Sequence, residues 1–67
     1  LKIMRTVKVR QTNMYRDGGT KELTDKDGNV YYQDFGIFSP TRGKIYDKYP
    51  GDKNAKILDI KVEIENN

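Results

Sequence analysis

The chain contains no cysteine, no histidine and no tryptophan, and the first two absences each remove a class of chemistry. Without cysteine there is no disulfide scaffold, thiolate zinc site, cysteine-ligated iron–sulfur cluster or thiol nucleophile. Without histidine the commonest general base and metal ligand are gone, and with them any Ser–His–Asp triad. Apolar runs are short: none approaches the roughly 18 residues of a membrane-spanning helix, and Leu1-Lys2-Ile3-Met4-Arg5 lacks the apolar stretch of a signal peptide. The sequence therefore reads as soluble, without a membrane partner, and its lack of cysteine fits a cytoplasmic address. It has 67 residues, 34% of them hydrophobic, which predicts one small domain over residues 1–67 with a tail at 65–67 able to fray. So thin a core is expected to fill one layer and to leave no buried pocket of the roughly 300 Å³ that small-molecule sites need.

What is present alternates. Leu1, Ile3, Val7 and Val9 face one way and Lys2, Met4, Thr6, Lys8 and Arg10 the other, while Arg5 interrupts the apolar row. Leu58, Ile60, Val62 and Ile64 alternate with Asp59, Lys61, Glu63 and Glu65 in the cleanest half-buried strand of the chain. The first of these segments is basic and the second acidic, a balance that favours pairing between them. Two hairpin turns are predicted between them, at Asp17-Gly18-Gly19 and Asp27-Gly28-Asn29. The first joins about Thr12–Arg16 to Thr20–Thr24, and the second joins that strand to Val30–Phe35. A loop at Ser39-Pro40-Thr41-Arg42-Gly43, a short strand at Lys44–Tyr49 and a turn at Pro50–Asn54 follow. A helix over Ser39–Lys48, with Ser39 as its N-cap and Pro40 at its first position, is the main competitor, and Gly43 in its middle argues against it. The expected fold is all-β, a small five- to six-stranded antiparallel barrel or rolled sheet. In general appearance the Gly-punctuated strands with Tyr31-Tyr32 resemble small oligonucleotide-binding and SH3-like barrels.

Net charge is +3, but it is sorted along the chain: +5 over residues 1–16, −3 over 17–34, +3 over 35–56 and −2 over 57–67. Basic groups interleaved with aromatic rings are what a single-stranded nucleic acid needs, cations for phosphates and rings for bases. Lys8, Arg10, Arg42, Lys44 and Lys48 are the phosphate candidates, and Tyr31, Phe38 and Tyr46 the stacking candidates. If the first strand lies near residues 42–48 these groups form one surface. The same pattern also describes a solvated face with aromatics in the core beneath it. Because successive strand residues point oppositely, at least one of Tyr31 and Tyr32 is expected to lie away from the main core.

Other motifs fail on spacing. Counted from Asp25, a calcium loop would need Gly at position 6 and Glu at position 12, whereas Gly28 falls at position 4 and Gly36 at position 12. Ser39–Lys44 has the composition of a flexible phosphate-contacting loop without P-loop spacing. Asp34 and Asp47 lie among aromatics where burial can raise a carboxylate pKa, yet no cleft is expected to hold a substrate against them. No catalytic residue, metal site or cofactor is assigned. The chain is expected to be a non-enzymatic binding module for nucleic acid. The alternative is a protein-interaction or assembly module, such as a small inhibitor, an accessory subunit or a homo-oligomer, using an edge strand.

Overall fold

The computed structural model describes residues 4–65, and all regular structure in that range is β-strand. The elements are β1 (Arg5–Met14), β2 (Thr20–Asp25), β3 (Val30–Asp34), β4 (Ile45–Tyr46), β5 (Ile57–Leu58) and β6 (Ile60–Ile64). They form one curled sheet in the order β5-β4-β3-β2-β1-β6, a half-barrel. Leu1, Lys2 and Ile3, read from alternation as the start of the first strand, lie outside the described residues, as do Asn66 and Asn67 of the expected frayed tail. The Glu65 amide donates to the Val9 carbonyl at 2.8 Å.

Both expected hairpins are present. Within the described residues, the segments read separately as 1–10 and 12–16 contribute to one continuous strand, β1 (Arg5–Met14), with a bulge between Gln11 and Asn13. Its turn into β2 depends on Gly19, whose φ is +137° and where an added Cβ would sit 2.8 Å from the Phe35 carbonyl carbon. The Asp17 carboxylate braces this turn by accepting from the Gly19 and Thr20 amides and from the Thr20 hydroxyl. Asp25 does the same for the next turn, accepting from the Asp27 and Asn29 amides and from the Asn29 side chain. The competing helix over Ser39–Lys48 does not form. Gly43 has φ +90°, and the segment is loop followed by the two-residue β4, shorter than the predicted strand.

Four of the five strand pairings are antiparallel, and the fifth, β1 with β6, is parallel. Parity accounts for the exception. β5 and β6 are two halves of one extended segment interrupted at Asp59, so the chain makes five passes in an up-and-down meander. The fifth pass then runs in the same direction as the first. The expected pairing of the terminal segments is therefore present, with Lys8 opposite Glu63. Since β5 and β6 stand at opposite ends of the strand order with one residue between them, the sheet must curl until its two edges meet at that residue.

Inside the curl sit Val9, Leu23, Tyr31 and Ile45, packed against the half-buried Val7, Leu58, Ile60 and Val62. Leu23 is fully buried. A hollow of about 780 Å³ opens to solvent beside the first half of β1, with Val7 and Tyr31 in its lining and the β2–β3 turn at its rim.

Candidate functional site

Strand register decides which side chains share a face. Leu23 opposite Tyr31 points inward, so Glu22 opposite Tyr32, and Tyr32 opposite Tyr46, point outward. On the same outer face Arg10 stands opposite Thr24, and Thr24 opposite Val30. Lys8, two residues before Arg10 on β1, points the same way. The outer face thus carries exposed Lys8 and Arg10 on one flank and the tyrosines two strands away, about 10 Å at the usual strand spacing.

The tyrosines form a second packed layer. Tyr15, Tyr32 and Tyr49 surround one another, with ring centroids 5.1 to 6.3 Å apart and tilted to edge-on geometry. Tyr15 donates to Glu22, and Tyr49 donates to Asp17. Tyr46 donates to Thr41 Oγ1 at 3.0 Å, which ties the aromatic band to the β3–β4 loop.

That loop is ordered by one carboxylate. Asp34 accepts from the Gly36 amide at 2.8 Å, from the Thr41 hydroxyl at 2.7 Å and from the Ser39 hydroxyl. These bonds, led by that of Ser39, hold its pKa below the ordinary carboxylate value despite partial desolvation. The backbone adds Ser39 N to Gly36 O, Arg42 N to Ser39 O, Lys44 N to Thr41 O and Gly43 N to Asp34 O. The segment expected to be a flexible loop is a hydrogen-bonded one. At its tip Ile37 and Phe38 are 75% and 97% exposed, while Lys21 Nζ covers the neighbouring Phe35 ring at 4.2 Å from its centroid.

The eight candidates from the sequence separate into four groups. Lys8 and Arg10 lie together on the outer face of β1. Phe38, Arg42 and Lys44 belong to the β3–β4 loop, all exposed, and Tyr46 lies half-buried between that loop and Tyr32. Lys48 is exposed beside Asp47, at 4.0 Å. Tyr31 is a correction. Its ring is 8% exposed in the core and its hydroxyl donates to Asp25, so it has no face to offer a base. Its neighbour Tyr32 takes the outward position, and Tyr15 and Tyr49 join it; strand parity offered the only signal for Tyr32, and nothing local marked the other two. The single basic surface imagined from a first strand beside residues 42–48 is also corrected. β2 and β3 separate β1 from β4, so the tyrosine band has one basic group on each side.

The charged groups differ in how they are engaged. Asp17, Asp25, Asp34 and Glu22 accept from tyrosines, hydroxyls or turn amides, and Asp47 and Asp52 accept from the amides of Lys56 and Asn54. By contrast, Lys8, Arg10, Arg42 and Lys44 make no side-chain hydrogen bond or ion pair among the described residues. Their donors face solvent. Comparisons with known proteins add no relative: no family model matches the chain, and neither the curated proteins nor the solved structures yield a match.

Proposed function

We propose that the chain is a non-enzymatic binding module that contacts single-stranded nucleic acid on the outer face of its sheet. One observation carries this reading: a band of tyrosines lies between two sets of uncommitted cations, Lys8 and Arg10 on β1, and Arg42 and Lys44 on the β3–β4 loop. Phosphates held at the flanks leave bases over Tyr46 and Tyr32, and each stacked base contributes about 1–3 kcal/mol. The carboxylates of Glu22, Asp17 and Asp34 beside the band keep phosphates off its centre.

Fluorescence anisotropy with a labelled oligonucleotide tests the proposal. Four phosphate contacts on a single strand give a log–log salt slope of about −3, or about 50-fold weaker binding at 200 mM than at 50 mM salt. Lys8→Gln with Arg10→Gln is expected to weaken binding markedly at 50 mM salt and to lower the salt slope, while circular dichroism shows the fold retained. No binding of the parent protein at 50 mM salt would refute the reading. A protein-interaction role is the second reading, favoured by the exposure of Ile37 and Phe38 and by β6, a five-residue strand at one edge of the sheet.

A further inference from the structure

The fold leaves a five-residue strand edge open at β6. The start of the extended segment 57–64 pairs with β4 on one side, and from Ile60 onward the segment pairs with β1 on the other. Among the described residues β6 has no strand partner but β1. Parity shows which backbone groups face the open side. The Glu65 amide donates to Val9 of β1, so the amides and carbonyls of Glu63 and Lys61 point to β1 as well, and those of Ile60, Val62 and Ile64 point away from it. The Lys56 carbonyl agrees, since it shares their parity and accepts from Asp47 on the β4 side. β6 also lacks the devices that keep an edge from pairing. It has no proline, glycine or bulge, and its inward row is Ile60, Val62 and Ile64, the last of them 40% exposed.

We infer that two copies of this protein pair through β6, antiparallel about a two-fold axis at Val62, so that one sheet runs through both. Val62 then faces Val62 of the second copy and Ile60 faces Ile64. Each such pair exchanges both backbone hydrogen bonds, because the groups that β1 leaves unused belong to these residues. Charge selects a second copy as the occupant and fixes the register. On the outer face Lys61 stands directly opposite Glu63 of the other copy, and Glu63 opposite its Lys61, at the closer spacing of non-hydrogen-bonded pairs. An axis at Lys61 or at Glu63 would instead set that charge against its own copy. Asp59, where the chain bends towards β5, and Glu65 would oppose each other, which confines the pairing to the five residues of β6. The contact is isologous and closes at two copies. So short an interface makes the dimer weak and concentration-dependent.

The inference rests on the protein-interaction reading through β6 and makes no use of the cations proposed for nucleic acid. Sedimentation velocity of the purified protein without nucleic acid, from roughly 10 µM to 1 mM, covers the dissociation range of so small a contact. The weight-average mass should rise with concentration and level off at a dimer. Amide hydrogen exchange followed by NMR reads the register. As the dimer forms, Ile60, Val62 and Ile64 should gain protection, while Lys61 and Glu63, already bonded to β1, should gain less.

Lys61→Glu, at an exposed position opposite Thr6, turns both ion pairs into like-charge contacts and should weaken association by at least about tenfold. Glu63→Lys should do the same. The decisive sample is their mixture, in which one copy presents two acids and the other two bases, so the dimer should return. Circular dichroism of each variant confirms that it is folded. Lys61→Glu with the exchange data carries the test alone if Glu63→Lys, whose new cation lies beside Lys8, does not fold. A parent protein that stays monomeric at about 1 mM, or a mass that grows past a dimer, would overturn the inference. Undiminished association of Lys61→Glu, a mixture of folded variants that gives no dimer, or unchanged exchange at Ile60, Val62 and Ile64 would overturn it equally. Phe38→Ala should dimerise as the parent does, because the Ile37–Phe38 tip is not part of β6. A monomeric parent would therefore leave that tip as the surface of the protein-interaction reading, and loss of association in Phe38→Ala would move the contact to it.

Discussion

Three of the five tyrosines donate to carboxylates: Tyr15 to Glu22, Tyr31 to Asp25 and Tyr49 to Asp17. Asp17 and Asp25 also brace turns, so ring packing and turn geometry depend on the same groups being ionised. The Tyr49 hydroxyl, with Thr20 and two amides, holds Asp17 well below the usual carboxylate range. The Asn29 side chain leads the same effect at Asp25, and the Ser39 hydroxyl leads it at Asp34. A depressed folded-state pKa contributes stability that is present above the unfolded value of about 3.9 and is lost as pH falls through the folded value. Desolvation first, and then Glu22 or Asp25, raises the Tyr15 and Tyr31 hydroxyls, while Tyr49 is raised chiefly by its bond to Asp17. A raised tyrosine contributes stability below its unfolded value of about 10, which is lost as pH rises through the folded value. Thermal melts followed by circular dichroism should therefore show a plateau between about pH 5 and 9 with a fall on both sides. Asp17→Asn should lower the plateau and flatten the acid limb; an unchanged acid limb would show that Asp17 does not couple to folding. Of these groups the sequence marked Asp17 as a turn residue, but not the tyrosine that reaches it. Tyr49 is too far along the chain from Asp17 for any local pattern to pair them.

Turns and strands show where local chemistry was sufficient and where it was not. Both Gly-containing hairpins and the alternation of residues 58–64 could be read directly, because turn residues and period-two rows act over a few positions. The β3–β4 loop could not. Its order comes from Asp34 collecting two hydroxyls and an amide from residues up to seven positions away, which composition alone renders only as a polar connection. The choice between Tyr31 and Tyr32 also awaited the register of β3 on Leu23, since parity says that the two differ and not which is inside. Gly19 belongs to this scale, because its backbone conformation and the Phe35 carbonyl beside it join the β1–β2 turn to the end of β3. Gly19→Ala should cost about 1–3 kcal/mol, the range for a residue forced into an unsuitable φ and ψ, and a steric contact adds to it. In a domain of this size that lowers the melting temperature by roughly 4–8 °C for each kcal/mol. Gly43→Ala, with φ +90° and open space around the added methyl, serves as the comparison and should cost less. Equal losses would mean that the contact with Phe35 has no energetic weight.

For the whole molecule the parallel closure matters most. The sequence predicted the fold class, strand order through β3 and the pairing of first and last segments. It predicted an antiparallel barrel because each adjacent pair is a hairpin or short connection, and parallel character arises only when the passes are counted around the curl. That closure joins residues 5–9 to residues 60–64, a contact of high sequence separation whose loop entropy must be overcome before it contributes. Val62 packs against the core from β6. Val62→Ala should therefore accelerate unfolding in a chevron experiment while leaving the folding rate nearly unchanged, as expected for contacts made after the transition state. A slowed folding limb would place β6 in the nucleus instead. The seam at Asp59 also has a meaning for synthesis. As the chain emerges residue by residue, β1 to β4 can assemble as a meander, yet neither of its margins is covered until the segment 57–64 has appeared, and that one segment then covers both. A nascent or truncated chain lacking these eight residues would expose two uncovered strands at once, giving it twice the opportunity to pair with a neighbour.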